Sequence, residues 1–305
     1  MKIAFIGDVH GCALHALGAL LALQRHRGIR LDAAIQVGDL GAYPTPARMD
    51  RPSKRFAAEN PAQTEFFRLL DPPPELSAAV RLAREQVPPV LFVSGNHEDF
   101  EWLTQLHEAG AASVVPVDPL GAFRHVACGH VAVVGDQRIA FLGRIESPGY
   151  MDLDSAAYAS LLAADPGSVD ILVTHDGPYG MCRNWQGLTE GSAKLARLIE
   201  HLQPRLHISG HYHHENGPRQ YGRTRSYALA ELVYPKTNRR RPERANPEQR
   251  VAPGSIGLLD TQTQAFEYIH DEWLTDVCGD HFDLARTAAE AQGGAGSQAP
   301  SSHQS

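Results

Sequence analysis

Five short apolar runs in this chain break off at a polar turn. Lys2 to Val9 passes through Gly7-Asp8-Val9-His10-Gly11, and Asp32 to Val37 runs into Gly38-Asp39-Leu40. Val90 to Val93 leads to Gly95-Asn96-His97-Glu98, Ile171 to Val173 to Thr174-His175, and Leu206 to Ile208 to Gly210-His211-Tyr212-His213. Runs this short and this apolar suit strands buried on both faces. Helical periods alternate with them. Cys12 to Arg27 carries Leu14, Leu17, Leu20 and Leu21 and closes at Gly28. Glu75 to Val87 repeats the pattern up to Pro88, and Ser192 to Leu202 up to Pro204. Buried strands alternating with helices and ending in polar side chains mark an α/β fold whose site lies at the carboxyl ends of the strands.

Two hairpins add antiparallel strands. His130 to Val134 and Arg138 to Leu142 flank Gly135-Asp136, and Ile256 to Leu259 and Ala265 to Ile269 flank Thr261-Gln262. Mixed strands of this kind fit a second sheet packed on the first. No internal repeat is visible.

The polar residues at the strand ends have a common chemistry. Two Asp, one Asn and several His can hold two divalent ions side by side, and two metals about 3.5–4 Å apart clamp both oxygens of a phosphoryl transfer. Imidazole with carboxylate suits Mn, Fe, Zn or Ni better than Mg or Ca. Asp39, standing alone after Gly38, is the natural bridge, and Asn96 offers an oxygen without adding charge.

The formal net charge of −7 gives no global attraction to nucleic acid or anionic membrane, so a polyanion partner needs a local patch. Cys12, Cys128, Cys182 and Cys278 form no C-x-x-C pair and read as reduced thiols. Cys12 reads as a small buried residue on the first helix turn. The first apolar run is too short for a signal peptide, and nothing approaches a membrane span. The expectation is a cytoplasmic protein with no membrane contact and no protein partner inferable.

The motif series resembles the calcineurin-like metallophosphoesterase superfamily over roughly Met1 to Ile269, with every ligand position of that family filled. The resemblance implies a four-layer α/β/β/α sandwich of two mixed sheets flanked by helices. It implies that one ion takes Asp8, His10, Asp39 and His213, and the other Asp39, Asn96, His175 and His211. Mn is the expected metal, with Fe, Zn and Ni as alternatives. By the same resemblance a bridging water loses a proton to become the nucleophile, and His97, no ligand itself, contacts a phosphate oxygen and protonates the leaving alkoxide. A histidine's ordinary pKa near 6.5 suits that task. Glu98 and Asp99 are expected to brace the turn and orient His97. Asp176 reads either as a contact to a ligand histidine or as a turn carboxylate, and His214 as a solvated neighbour.

The protein Ser/Thr phosphatases of the superfamily continue the second motif into Asp-Arg-Gly, where this chain has Gly38-Asp39-Leu40-Gly41-Ala42-Tyr43. That departure points to the phosphodiesterase and nuclease branches. Gly95-Asn96-His97-Glu98-Asp99 and Thr174-His175-Asp176-Gly177-Pro178 look distantly like lariat debranching enzymes, which lack the first-motif Asp present here. The expected reaction is phosphodiester hydrolysis by metal-activated hydroxide. The rivals are a phosphomonoesterase or Ser/Thr-type protein phosphatase, and a non-catalytic interaction module, of which the retromer subunit is an example.

Residues 1–270 are expected to form the catalytic domain, with insertions at about 43–74 and 218–253, an extension at 271–287 and a disordered tail at 288–305. The first insertion carries Arg48, Arg51, Lys54 and Arg55. The second carries Arg219, Arg223, Arg225, Arg239, Arg240, Arg241, Arg244 and Arg250. These loops read either as solvated surface or as a seat for a nucleotide or single-stranded nucleic acid. Tyr221, Tyr227 and Tyr234 fit base stacking and a strand edge equally well.

Overall fold

The computed structural model describes residues 1–183, 187–238, 242–279 and 282–294. The chain opens with β1 (Lys2–Ile6), α1 (Ala13–Arg27), β2 (Ala33–Gln36), α2 (Arg51–Glu59), α3 (Glu65–Leu70) and α4 (Pro74–Gln86). Next come β3 (Val90–Phe92), α5 (Phe100–Gly110), β4 (Val114–Pro116), β5 (Phe123–Val126), β6 (Val131–Val134) and β7 (Gln137–Leu142). The central part holds α6 (Ser155–Leu162), β8 (Ile171–Thr174), β9 (Cys182–Arg183), β10 (Thr189–Glu190), α7 (Ala193–Leu202) and β11 (Leu206–Ser209). The chain closes with β12 (Asn216–Tyr221), β13 (Thr224–Ala228), β14 (Ile256–Asp260), β15 (Ala265–Tyr268) and α8 (Leu284–Gly294).

Two mixed sheets result. The first has the order β15-β14-β1-β2-β3-β5-β4 and the second β12-β13-β11-β8-β7-β6. In the first, β1, β2 and β3 run parallel; in the second, β8 and β11 do. Their carboxyl ends therefore deliver the five motifs. Successive side chains of a strand face opposite ways. In β1, Ile3 and Phe5 enter the core between the sheets, beside Ile35, Val37, Ile171 and Val173. Ala4 and Ile6 point the other way, into the helical layer with Leu17 and Leu20 of α1 and Val80 of α4. Across the second sheet Ala140 and Leu172 pack on Leu161 of α6 and Leu195, Leu198 and Leu202 of α7. With both faces covered, alternation vanishes and the strands read as continuous apolar runs. The order of layers is helix, sheet, sheet, helix.

Local signals end the helices where expected. Gly28 closes α1 in the left-handed conformation, with φ 59. Ser192 caps α7 by accepting from Leu195 N, and Gln203 rather than Pro204 closes it in a left-handed turn.

Three segments differ from their sequence reading. Residues 43–74, read as loop, hold α2 and α3. The start of α2 is set by Asp50, whose side chain accepts from Ser53 N, with Pro52 in the first turn. Residues 218–228 belong to β12 and β13 and extend the second sheet rather than leaving it. Residues 288–294 of the expected tail are helical in α8, because Leu284 and Ala288, four apart, bury against the α1–α4 layer. A small alanine gave no visible apolar period there. Residues 295–305 lie outside the described residues, as do Arg239, Arg240 and Arg241. Among the described residues no helix is long and apolar enough to cross a membrane. The four cysteines are free thiols, and Cys12 is buried at the start of α1.

Candidate metal centre

Where the parallel strands of both sheets end, Asp8, His10, Asp39 and His213 each bring a nitrogen or oxygen within 4.8 Å of one another, and Asp39, His175 and His211 do the same. Asp39 belongs to both groups. Asn96 adds its Oδ1 at 3.2 Å from His175 Nε2. All seven expected ligands thus meet, and the His97 ring stands beside them, 5.6 Å from that of His10.

The backbone is bent to bring them together. His10, Asp39, His211 and His213 have φ of 45, 56, 69 and 56, in the left-handed region that non-glycine residues avoid at a cost of order 1–3 kcal/mol each. Asp39 Oδ1 accepts from His97 N at 2.7 Å, and both Asp8 oxygens accept from His211 N, at 3.0 and 3.1 Å. These contacts explain two glycines. A Cβ on Gly95 would sit 2.1 Å from Asp39 Oδ1, and one on Gly210 would sit 2.1 Å from Asp8 Oδ1.

Hydrogen bonds behind the rings decide which nitrogens face inward. His175 Nδ1 lies 3.0 Å from the carbonyl of Val37 and so carries its proton there. Its Nε2 lone pair then faces Asp39 Oδ2 at 3.3 Å and Asn96 Oδ1. His213 Nδ1 faces Glu231 at 3.1 Å, which turns Nε2 toward Asp8 Oδ2 and His10 Nε2, each at 3.1 Å. Asp39 Oδ2 is buried and accepts no hydrogen bond among the described residues. Lone pairs and carboxylate oxygens converging in this way repel one another unless a cation lies among them. The imidazole, carboxylate and amide donors, with the orphaned oxygen of the one carboxylate common to both groups, fit two divalent ions.

Residues 1–215 match the model of the family described as calcineurin-like phosphoesterase. The chain belongs to that family. It is therefore a metallophosphoesterase, a hydrolase of phosphoric esters in a family that is generally dinuclear and metal-dependent. A solved crystal structure, 15% identical, shares the fold at a TM-score of 0.52 over 88% of this chain and 98% of its own. TT1561 of Thermus thermophilus is 17% identical with a TM-score of 0.48, over 88% and 97% of the two chains. A 5'-nucleotidase precursor from the same organism is 14% identical with a TM-score of 0.38, over 96% of this chain and 57% of its own. No curated protein matches.

The electrostatics of this metallophosphoesterase favour positive charge at the centre. Burial alone would push Asp8 up and His213 down, but their mutual contact and the surrounding charges hold Asp8 low and His213 well above the usual range. Burial likewise opposes, and is outweighed by, the histidines that keep Asp39 well below an ordinary carboxylate. In the metal-free protein His175 is drawn up to about 10 against its burial, chiefly by Asp39, so that a proton stands where a cation would. Burial wins at His10, which is lowered, and at His211, which falls to about 4 with help from His175. Those two rings stay neutral.

His97 is set by a residue the sequence did not single out. Its Nδ1 lies 2.6 Å from Asp50 Oδ2, leaving Nε2 as its other ring nitrogen. Burial lowers the ring's pKa, but Asp39 and Asp50 outweigh it and raise it to about 9. Orienting His97 thus falls to Asp50 and not to Glu98 or Asp99. Glu98 accepts from Gly95 N at 2.6 Å and Gly41 N at 3.3 Å, so it braces the turn as expected. Asp99 caps α5 and takes both prongs of Arg48, which ties the segment before Asp50 to the third motif. Asp50 was findable as a helix cap before a proline. Glu231, one carboxylate in an irregular stretch, carried no signal. Asp176 accepts from Tyr212 OH at 2.6 Å and from Glu146 N at 3.1 Å, joining the fourth motif to the fifth. His214 lies with its Nδ1 2.7 Å from Tyr212 O and lines the site's cleft.

That cleft has a volume of about 840 Å³. His10, His97, His211 and His213 open into it, α2 forms part of its wall, and Arg183 of β9 and Glu190 of β10 also line it. Of the described basic residues in the two expected loops, only Arg55 and Arg244 line it. Arg48 is committed to Asp99 and Glu101, and Arg225 to Gln264 O. Tyr221, Tyr227 and Tyr234 do not line it. Tyr227 is core between the sheets, and Tyr221 and Tyr234 donate to backbone carbonyls of Tyr179 and His213.

Proposed function

We propose that the protein hydrolyses phosphodiesters with Asp8, His10, Asp39 and His213 holding one divalent ion and Asp39, Asn96, His175 and His211 a second, with Mn²⁺ as the working metal. The observation that carries this reading is the buried, unsatisfied Oδ2 of Asp39 shared by both groups. Two divalent ions held by these residues would polarise a phosphoryl group and lower the pKa of water toward 7.

The chain's own residues supply the rest. Val37 O and Glu231 fix the rings of His175 and His213, so that their Nε2 atoms face the centre. His97, held at Nδ1 by Asp50, gives its Nε2 proton to the leaving oxygen. Asp50 holds the opposite nitrogen and stabilises the imidazolium. One feature favours a diester over a monoester: the second motif lacks the Asp-Arg-Gly element of the protein phosphatases. The free thiols support a reducing, cytoplasmic setting.

The test is hydrolysis of bis-p-nitrophenyl phosphate and p-nitrophenyl phosphate by metal-stripped protein resupplied with Mn²⁺. Faster diester turnover is expected. Monoester turnover alone would make the protein a phosphatase, and silence on both from folded protein would leave an interaction module.

A further inference from the structure

Helix α2 has no buried residue, although it begins in the apolar wall of the cleft. Its apolar residues do not turn to the core. Pro52 and Phe56, four apart and so on one face, line the cleft with Met49 just before them. Phe56 is 38% exposed, unusual for the largest apolar side chain of a surface helix. The Arg55 guanidinium lies over its ring at 4.7 Å from the centroid, and among the described residues it has no carboxylate partner. An arginine stacked on an aromatic ring is thus presented at the mouth of a phosphoryl site.

The helix is fixed to the proton donor at its N-terminal end. Asp50 Oδ1 caps it through Ser53 N at 2.7 Å, while Oδ2 faces His97 Nδ1. Tyr43 OH reaches the same carboxylate at 3.1 Å. The spacing between Asp50 and Phe56 therefore sets the distance between the proton donor and the exposed ring.

We infer that Phe56 and Arg55 form a stacking platform for an aromatic ring of nucleobase size carried by the ester group of the substrate. This rests on the phosphoesterase reading for the position of the phosphoryl group. The occupant follows from three facts: the platform opens into the same cleft as the metal centre, the cleft exceeds what a phosphate fills, and guanidinium and phenyl faces both stack on bases. Glu59 and Glu190 interrupt the basic lining that Arg183 and Arg244 give the same cleft, so it is no continuous basic groove and a single small nucleotide unit fits better than a strand.

The test measures binding and not turnover. The Mn²⁺-loaded protein is titrated calorimetrically with methylphosphonate and with a nucleoside phosphonate in which CH₂ replaces the ester oxygen. Neither can be hydrolysed at that bond, and both present the same anion. The nucleoside compound is expected to bind about tenfold to a hundredfold tighter, the span of one base stack. Phe56→Ala and Arg55→Ala should each cut that ratio severalfold, and Phe56→Trp should keep it. Both positions are on an exposed helix, and circular dichroism checks the fold. A ratio near one in the wild type, or a ratio untouched by both alanine variants, would overturn the platform. Hydrolysis of bis-p-nitrophenyl phosphate is scored separately. Its absence with the ratio intact would remove the reaction and leave the platform.

Discussion

Asp50 and Glu231 do at the residue scale what the motif residues cannot do for themselves: they hold imidazoles in one tautomer and one orientation. Replacing Glu231 by Gln removes the charge behind His213 Nδ1 and should weaken Mn²⁺ binding by about 10–100-fold, read by metal titration. Asp50→Asn should lower kcat by up to about 10²-fold, with a larger loss for His97→Ala, within the usual 10²–10⁴ of a general acid. It should also move the pH profile. Asp50 raises the His97 pKa, so its loss lowers it, and the donor proton is lost at lower pH. Activity of the variant should therefore fall more at pH 8–9 than at pH 6. An unmoved basic limb in kcat against pH would show that His97 is not the donor. The ligands were legible because each sits at the end of an apolar run, where strand geometry fixes its place. Asp50 was legible only as a helix cap and Glu231 not at all, since neither carboxylate's surroundings in sequence show which histidine folds back to meet it.

At the scale of elements, the turns after the strands have no slack. Gly210→Ala would drive a methyl group onto Asp8 Oδ1, so the variant should fold but lose Mn²⁺ affinity, again measured by titration. Two strands also carry buried neutral histidines. Burial lowers His207 of β11 and His125 of β5, each to about 3. A folded pKa below the ordinary value near 6.5 means that the unfolded chain binds protons first as pH falls. Stability is thus fully present above about pH 6.5 and is lost from there down toward pH 3. Each histidine adds up to about 1.4 kcal/mol per pH unit. Urea unfolding of metal-free protein between pH 7 and 5 should show that slope, reduced in His207→Gln. The strands and long helices were readable from their period. Helices α2 and α8 were not: the first turns its apolar side to a cleft, and the second packs through Ala288.

On the scale of the whole molecule, the two sheets meet at one centre. Asp8, His10, Asp39 and Asn96 come from one, and His175, His211 and His213 from the other, so ions held by both would act as a clamp between layers. A ligand that binds only the folded state stabilises it by RT ln(1 + [L]/Kd), about 2.7 kcal/mol at 100 Kd. Mn²⁺ should accordingly raise the Tm of stripped protein in a concentration-dependent way, and Asp39→Asn should blunt the rise. The layered fold follows from apolar runs that are buried on both faces, which only a sheet between two layers satisfies. How far the segments between motifs reach around the cleft depends on contacts distant in sequence, and no local pattern encodes that.

The most direct test of the central claim is the metal content of Mn²⁺-reconstituted protein measured together with bis-p-nitrophenyl phosphate turnover, in the wild type and in Asp39→Asn. Two ions per chain with turnover, and loss of both the second ion and the turnover in the variant, is the predicted result. One ion or none in an active wild type, or full turnover in Asp39→Asn, would contradict a dinuclear centre bridged by that carboxylate.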